Sequence, residues 1–247
     1  MKIIYILWLR QIKRYFRSKA RIIGSVGQPL LFLLALGFGF GPVFEKAGEG
    51  DYISFLAPGI IAMSILFTSV FSGIEIIWDR QFGFLKETLV APVSRLKIMI
   101  GRTLGGASVA LMQGLIVLII TIPLGFRPDI LNLPLGFVFM VLIALFFTAF
   151  GTAVASLLKD MQGFQMIMSF VIMPIFFLSG SLFPTDGLPG VLRIFLIINP
   201  LSYGIDGMRG AFIGLSNFGL GFDFLVLGLI TVVILAIGSY LFSKIQI

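Results

Sequence analysis

The chain has 247 residues, of which 58% are hydrophobic and 12% charged, with a net charge of +7 and no cysteine or histidine. A soluble globule carries about 25% charged residues to wet its surface, so a mean hydropathy of +1.10 makes lipid the solvent for much of the fold. The missing residue types exclude disulfides, Cys/His metal centres and Ser-His or Cys-His catalysis, despite the suggestive Ser179-Gly180-Ser181 run.

Residues 1–19 predict an amphipathic helix. Ile4, Trp8, Ile12, Tyr15 and Phe16 share one face, and Lys2, Arg10, Lys13, Arg14 and Arg17 the other. Such a helix is expected to lie in the cytoplasmic interface, with its cations among anionic headgroups. It serves either as a plain anchor or as a docking element for a partner.

Six apolar blocks follow, at Ile22–Gly41, Ile53–Ile77, Ile98–Leu124, Leu133–Leu158, Gly163–Phe183 and Phe222–Phe242. Blocks of about twenty residues cross a ~30 Å hydrocarbon core as helices, whereas a barrel would show short alternating strands. The first block has too long and basic a leader for a signal peptide and is expected to be retained. Pro29, Pro58, Pro123 and Pro174 fall near or inside these blocks, where neighbours re-satisfy the freed carbonyls. Fourteen Lys and Arg residues collect on one side and four (Lys46, Arg127, Arg193, Arg209) on the other, placing both termini in the cytoplasm. The expected class is an all-α, multi-pass protein of the plasma membrane, with six transmembrane helices in one transmembrane domain.

Polar residues inside spans have a bland reading and a functional one. Ser64, Thr68, Ser72 and Glu75 form one stripe of the second span, and Thr148, Thr152 and Ser156 mark the fourth. Hydroxyls at helical spacing serve as interhelical glue or line a pathway. Glu75 is costly in lipid and reads as a gate or coupling residue, with water or Arg80 in reach. Gly101-x-x-x-Gly105 invites close approach of another helix. Trp and Tyr fall near predicted boundaries, leaving Phe as the mid-span aromatic, which favours lipophilic or amphipathic cargo over a long glycan.

Two longer connections remain. In the cytoplasmic stretch 78–97, a helix is expected from Asp79 to Val90, since Pro92 disfavours helix at Ala91. Phe82, Leu85 and Leu89 form its apolar ridge, Lys86 flanks it, and Arg80 and Glu87 form a charged rim. It either seats in a protein groove or packs on its own bundle. In the outer stretch 184–221, Leu188–Ile198 and Tyr203–Ile213 are too short to cross and break at Asn199-Pro200, which predicts a re-entrant hairpin. Asp206 and Arg209 are spaced to pair across one turn. The hairpin is a surface cap or an outer gate.

Asp79-Arg80, Gly83, Leu85 and the Ala91-Pro92-Val93-Ser94-Arg95 ending resemble the loop after the second span of ABC-2 type permeases. Ile198-Asn199-Pro200-Leu201-Ser202-Tyr203-Gly204-Ile205-Asp206-Gly207-Met208-Arg209 resembles the family's second hallmark before its last span. The family includes drug-resistance, nodulation-factor and O-antigen or teichoic-acid exporters, and the resemblance covers essentially the whole chain. It implies a non-enzymatic permease, with Asp79, Arg80, Phe82, Gly83, Leu85, Glu87 and Pro92 shaping an element that couples to an ATPase. It also gives Asn199, Pro200, Tyr203, Asp206 and Arg209 an outer gating role. The sequence has no G-x-x-x-x-G-K-[ST] loop, so ATP and Mg are expected on a separate nucleotide-binding subunit. A second permease copy, identical or a close paralogue, and membrane lipid are the other expected partners; nucleic acid is not. The alternative is an ATP-independent secondary transporter or channel. A membrane-embedded transferase or hydrolase lacks the acid clusters it needs.

Overall fold

The computed structural model describes residues 2–46, 51–83, 94–158, 160–185 and 187–244. Most of these residues are helical, with no strand among them. In chain order they form α1 (Lys2–Arg17), α2 (Lys19–Lys46), α3 (Tyr52–Ser72), α4 (Ile74–Gln81), α5 (Arg95–Thr121) and α6 (Leu133–Leu157). Then come α7 (Met161–Ile167), a π-helical turn (Met168–Ile172), α8 (Met173–Phe177), α9 (Gly190–Ile198), α10 (Pro200–Ile213) and α11 (Leu220–Ser243).

Five helices are long and apolar enough to span a membrane: α2, the nearly continuous α3–α4 rod, α5, α6 and α11. The expected fifth span departs from this pattern. It is only 17 residues long, from Met161 to Phe177. Its π turn ends where Met173 N bonds the Met168 carbonyl, immediately before Pro174. A proline removes one helical donor and crowds the preceding turn, and widening that turn relieves both. The segment still runs the depth of the bundle. Helix α7 touches α4 at one end of the α3–α4 rod, and the turn beyond α8 reaches the first turn of α3, where the Tyr52 hydroxyl donates to the Leu182 carbonyl at 2.8 Å.

The rod α3–α4 is the hub. Leu56, Ile60, Ile61 and Ile65 are fully buried, facing Phe139, Ile143 and Phe147 of α6 in one continuous core. Full burial of each such side chain contributes roughly 1.5–3 kcal/mol where the alternative is water. Inside lipid, close packing carries the association instead. Gly73 and Gly151 show how close it becomes. A Cβ on Gly151 would lie 2.6 Å from the Val70 carbonyl oxygen, and one on Gly73 would collide with the Gly151 carbonyl. Here α3–α4 and α6 touch backbone to backbone. By contrast, α2 and α11 keep most of their apolar surface outward.

The N-terminal helix departs from expectation. The helix admitted by Gly101-x-x-x-Gly105 is α1 itself. A Cβ at Gly101 would lie 3.0 Å from Leu7 Cβ, and one at Gly105 would lie 2.6 Å from Gln11 Cγ. Trp8 Nε1 donates to Ser108 Oγ at 2.9 Å and the Tyr15 hydroxyl to Gln113 Oε1 at 2.5 Å. The inward face therefore carries Leu7 and the buried Gln11, while Phe16, expected on the apolar face, is exposed. The glycine groove on α5 selects this rotation, because only there can the two backbones approach closely.

Helices α9 and α10 meet at 85°. Asn199 stands at their break, and its Nδ2 donates to the Ile175 carbonyl of α8 at 2.6 Å. The loops that flank the pair meet, where Asn217 Nδ2 donates to Thr185 Oγ1 at 2.7 Å. The chain thus bends sharply at the Asn199-Pro200 break, the two helices forming either one broken span or a re-entrant pair.

Candidate functional site

Two polar clusters flank the core, one at each end of the rod. The first is at the basic end, where α1, α4 and α5 converge. Asp79, 6% exposed, is clamped between two cations from distant segments. Arg10 of α1 donates to Oδ1 at 3.0 Å, and Arg102 of α5 bonds Oδ2. One turn earlier, the buried Glu75 faces Arg14 at 3.5 Å. Arg14 also stands 5.4 Å from the centre of the Trp78 ring. Each carboxylate points to the protein's own N-terminal helix.

Several expectations change here. Asp79 does not open a helix running to Val90, because α4 ends at Gln81 and Gly83 takes a positive φ of 79°. A glycine in this conformation is how helices commonly stop. Asp79 is thus an internal anchor in the last turn of the rod, and Phe82, the one ridge residue among the described residues, is 82% exposed. Arg80 does not reach Glu75. Its guanidinium donates to the carbonyls of Leu158 at 2.7 Å and Ser156 at 3.3 Å, capping the C-terminus of α6. A cation there also meets the negative end of the helix dipole. Leu85, Glu87 and Pro92, with the rest of the expected coupling helix beyond Gly83, lie outside the described residues.

The polar stripe divides. Ser72 bonds back to the Ser69 carbonyl at 2.6 Å, the glue-type reading. Ser64 and Thr68 instead line a cavity of about 600 Å³ between the α1–α2 corner and α3–α4. Ser64 Oγ is buried there without a hydrogen-bond partner. In α6, Ser156 bonds back to the Thr152 carbonyl at 2.7 Å, and Thr148 Oγ1 is buried without a partner.

The second cluster ties the α9–α10 hairpin to the distal end. Asn199 caps two helices at once: Oδ1 accepts from Leu201 N at 3.0 Å, and Nδ2 takes up the Ile175 carbonyl. Pro200 occupies the first turn of α10, where its missing N–H costs nothing. The Tyr203 hydroxyl donates to the Ile197 carbonyl at 2.6 Å. The i, i+3 pairing of Asp206 with Arg209 does not form; both are buried and take backbone partners. Asp206 accepts from Ser216 Oγ, Asn217 N and Phe218 N, each at 2.9 Å, fixing the loop that leads into α11. Arg209 donates to the carbonyls of Phe55 at 3.2 Å and Ser181 at 3.0 Å, with its guanidinium 3.7 Å from the centre of the Phe55 ring. Carbonyls of α3 and of the turn after α8, and donors of the loop into α11, thus take the place of a simple ion pair.

Two residues escaped the sequence reading. Arg102 was legible only as a basic residue counted for orientation, yet it is 5% exposed and holds Asp79. Asp223, in the first turn of α11, is fully buried beside the Asp206 carboxylate, with no donor on either of its oxygens. The signal for Asp223 was an acid just inside a predicted span.

Comparison with known proteins agrees with this architecture. The family model described as ABC-2 type transporter matches residues 3–213. The chain is 31% identical over 210 residues to a putative transport permease, ycf38, of Cyanophora paradoxa, covering 80% of this chain and 71% of the relative. It is 30% identical over 212 residues to Nodulation protein J of Rhizobium leguminosarum bv. trifolii, covering 85% and 78% respectively. The matched region contains both polar clusters apart from the loop and Asp223 that follow residue 213, and the chain belongs to the ABC-2 type transporter family.

Proposed function

We propose that this chain is the membrane subunit of an ATP-driven exporter in the plasma membrane, with both termini cytoplasmic. It works beside a second permease copy, and ATP is hydrolysed on separate nucleotide-binding subunits. Family membership supports the coarse reading of a transport permease. The observation that carries the mechanism is the Arg10–Asp79–Arg102 clamp, immediately before the 84–93 segment. A force delivered to that segment by an ATPase would reach the last turn of α4, and the clamp would pass it to α1 and α5. Ion pairs suit this task because they hold discrete arrangements that a few kcal/mol can bias. The distal hairpin, hung from Asn199 and Arg209, is the element that would open outward as the bundle tilts. Phe67, Phe71 and Met63 beside the Ser64 and Thr68 hydroxyls favour lipophilic or amphipathic cargo.

One observation favours the ATP-independent alternative. Asp223 is a buried carboxyl without a donor, the kind of group that ion-coupled transporters use.

The test is reconstitution in vesicles with and without an ATPase subunit, following efflux of an amphiphilic dye and ATP hydrolysis together. Export is expected only with both proteins present. Asp79→Asn should uncouple hydrolysis from export. Full-rate efflux from the chain alone would replace this reading with the ion-coupled one. Cysteines at Ser94 and Ile130 should be labelled from opposite sides, Ser94 from the cytoplasm.

A further inference from the structure

The cavity between the α1–α2 corner and the α3–α4 rod has a chemistry that the bundle alone does not explain. Its volume of about 600 Å³ falls in the range of small-molecule sites, which run about 300–1,000 Å³. Phe67, Phe71 and Met63 supply an apolar wall, and Arg14 and Trp78 stand at the basic end. Deeper along α3, Ser64 lines this space and is 2% exposed, and its Oγ is buried without a hydrogen-bond partner. A buried hydroxyl without a partner costs roughly 1–3 kcal/mol, so an occupant that bonds to it is favoured. Arg14 is held only at 3.5 Å by Glu75 and keeps 38% of its side chain exposed. Such a loose pair can exchange its carboxylate for another anion.

We infer that this cavity binds an anionic amphiphile, with its phosphate-type head on Arg14, its apolar part against Phe67 and Phe71, and an ester or hydroxyl oxygen at Ser64. The inference rests on the export reading for its physiological meaning and names the class of cargo that enters from the basic end. Glu75 acts as the resident counter-ion. The incoming head displaces it from Arg14, so occupancy of the cavity is reported one turn away from the Asp79 clamp. Removing Arg14 therefore weakens binding, whereas neutralising Glu75 strengthens it. A merely structural ion pair would give losses at both positions.

The experiment measures equilibrium binding of radiolabelled dioctanoyl phosphatidic acid to the full chain in phosphatidylcholine nanodiscs. Dioctanoylglycerol and inorganic phosphate serve as competitors. Saturable binding is expected, with dioctanoylglycerol about tenfold weaker, as loss of one charge-assisted contact implies. Arg14→Gln should fall to that neutral level and Arg14→Lys should recover part of the loss. Glu75→Gln should tighten binding about threefold, the scale of one partly exposed ion pair. Ser64→Phe, which fills the cavity, should abolish binding of both lipids while melting within the wild-type range. Unchanged affinity in Arg14→Gln, parallel weakening by Glu75→Gln, or no saturable binding overturns the inference. Displacement by inorganic phosphate as effective as by the lipid assigns the pocket to a free anion and overturns the amphiphile. The assay uses neither ATP nor a partner, so its failure is separate from failure of the export reading.

Discussion

The two ends of the rod solve the problem of buried charge in opposite ways. At the basic end, charge meets charge: Arg10 and Arg102 hold Asp79, and Arg14 holds Glu75, across segments up to 69 residues apart. At the distal end, charge meets backbone: Asp206 takes amides and Arg209 takes carbonyls. Side-chain pairs between separate helices can part and re-form as those helices move. Backbone partners fix a charge to one local conformation. The comparison teaches that charge at the basic end is held between separate helices, whereas charge at the distal end is held by local backbone.

The largest expected effect breaks the distal end. Arg209→Met removes the donor for two buried carbonyls and the cation over Phe55, and should cost about 3–5 kcal/mol. A thermal melt in detergent reads it. The exchange Asp206→Arg with Arg209→Asp should rescue nothing, since the two residues are not partners; recovery would restore the simple ion pair. Asp79→Asn should cost about 3 kcal/mol by leaving two cations facing a neutral amide. Here exchange does help: Asp79→Arg with Arg102→Asp should recover part of the loss, and absence of any recovery would equate the two ends. The smallest effect sharpens the contrast. Asp223→Asn removes a buried carboxyl that faces Asp206 without a donor while keeping its shape, so stability should change by less than about 1 kcal/mol, in the favourable direction. A loss larger than that would mean the carboxylate has a partner.

The spans were legible because lipid demands long apolar blocks, and the bend between α9 and α10 because Asn199-Pro200 interrupts the helix there. Gly101 and Gly105 announced a close neighbour without naming it. The partners of Asp79 were not legible, since Arg10 and Arg102 become neighbours only through the seating of α1 on α5. The local spacing of Asp206 and Arg209 misled because their true partners are carbonyls and amides freed by other elements, which no i, i+3 rule contains. The π turn leaves no residue signature apart from Pro174 itself.

The glycine contact between Gly73 and Gly151 has a mechanical consequence. Interdigitated side chains lock two helices in register, but bare backbone against bare backbone leaves a smooth bearing. A rod pivoting on that contact would have Asp79 about 9 Å along one arm and Ser64 about 13 Å along the other, at the helical rise. Any tilt imposed at the short arm is therefore magnified by roughly half at the long one. The magnified end is where Ser64 meets the cavity.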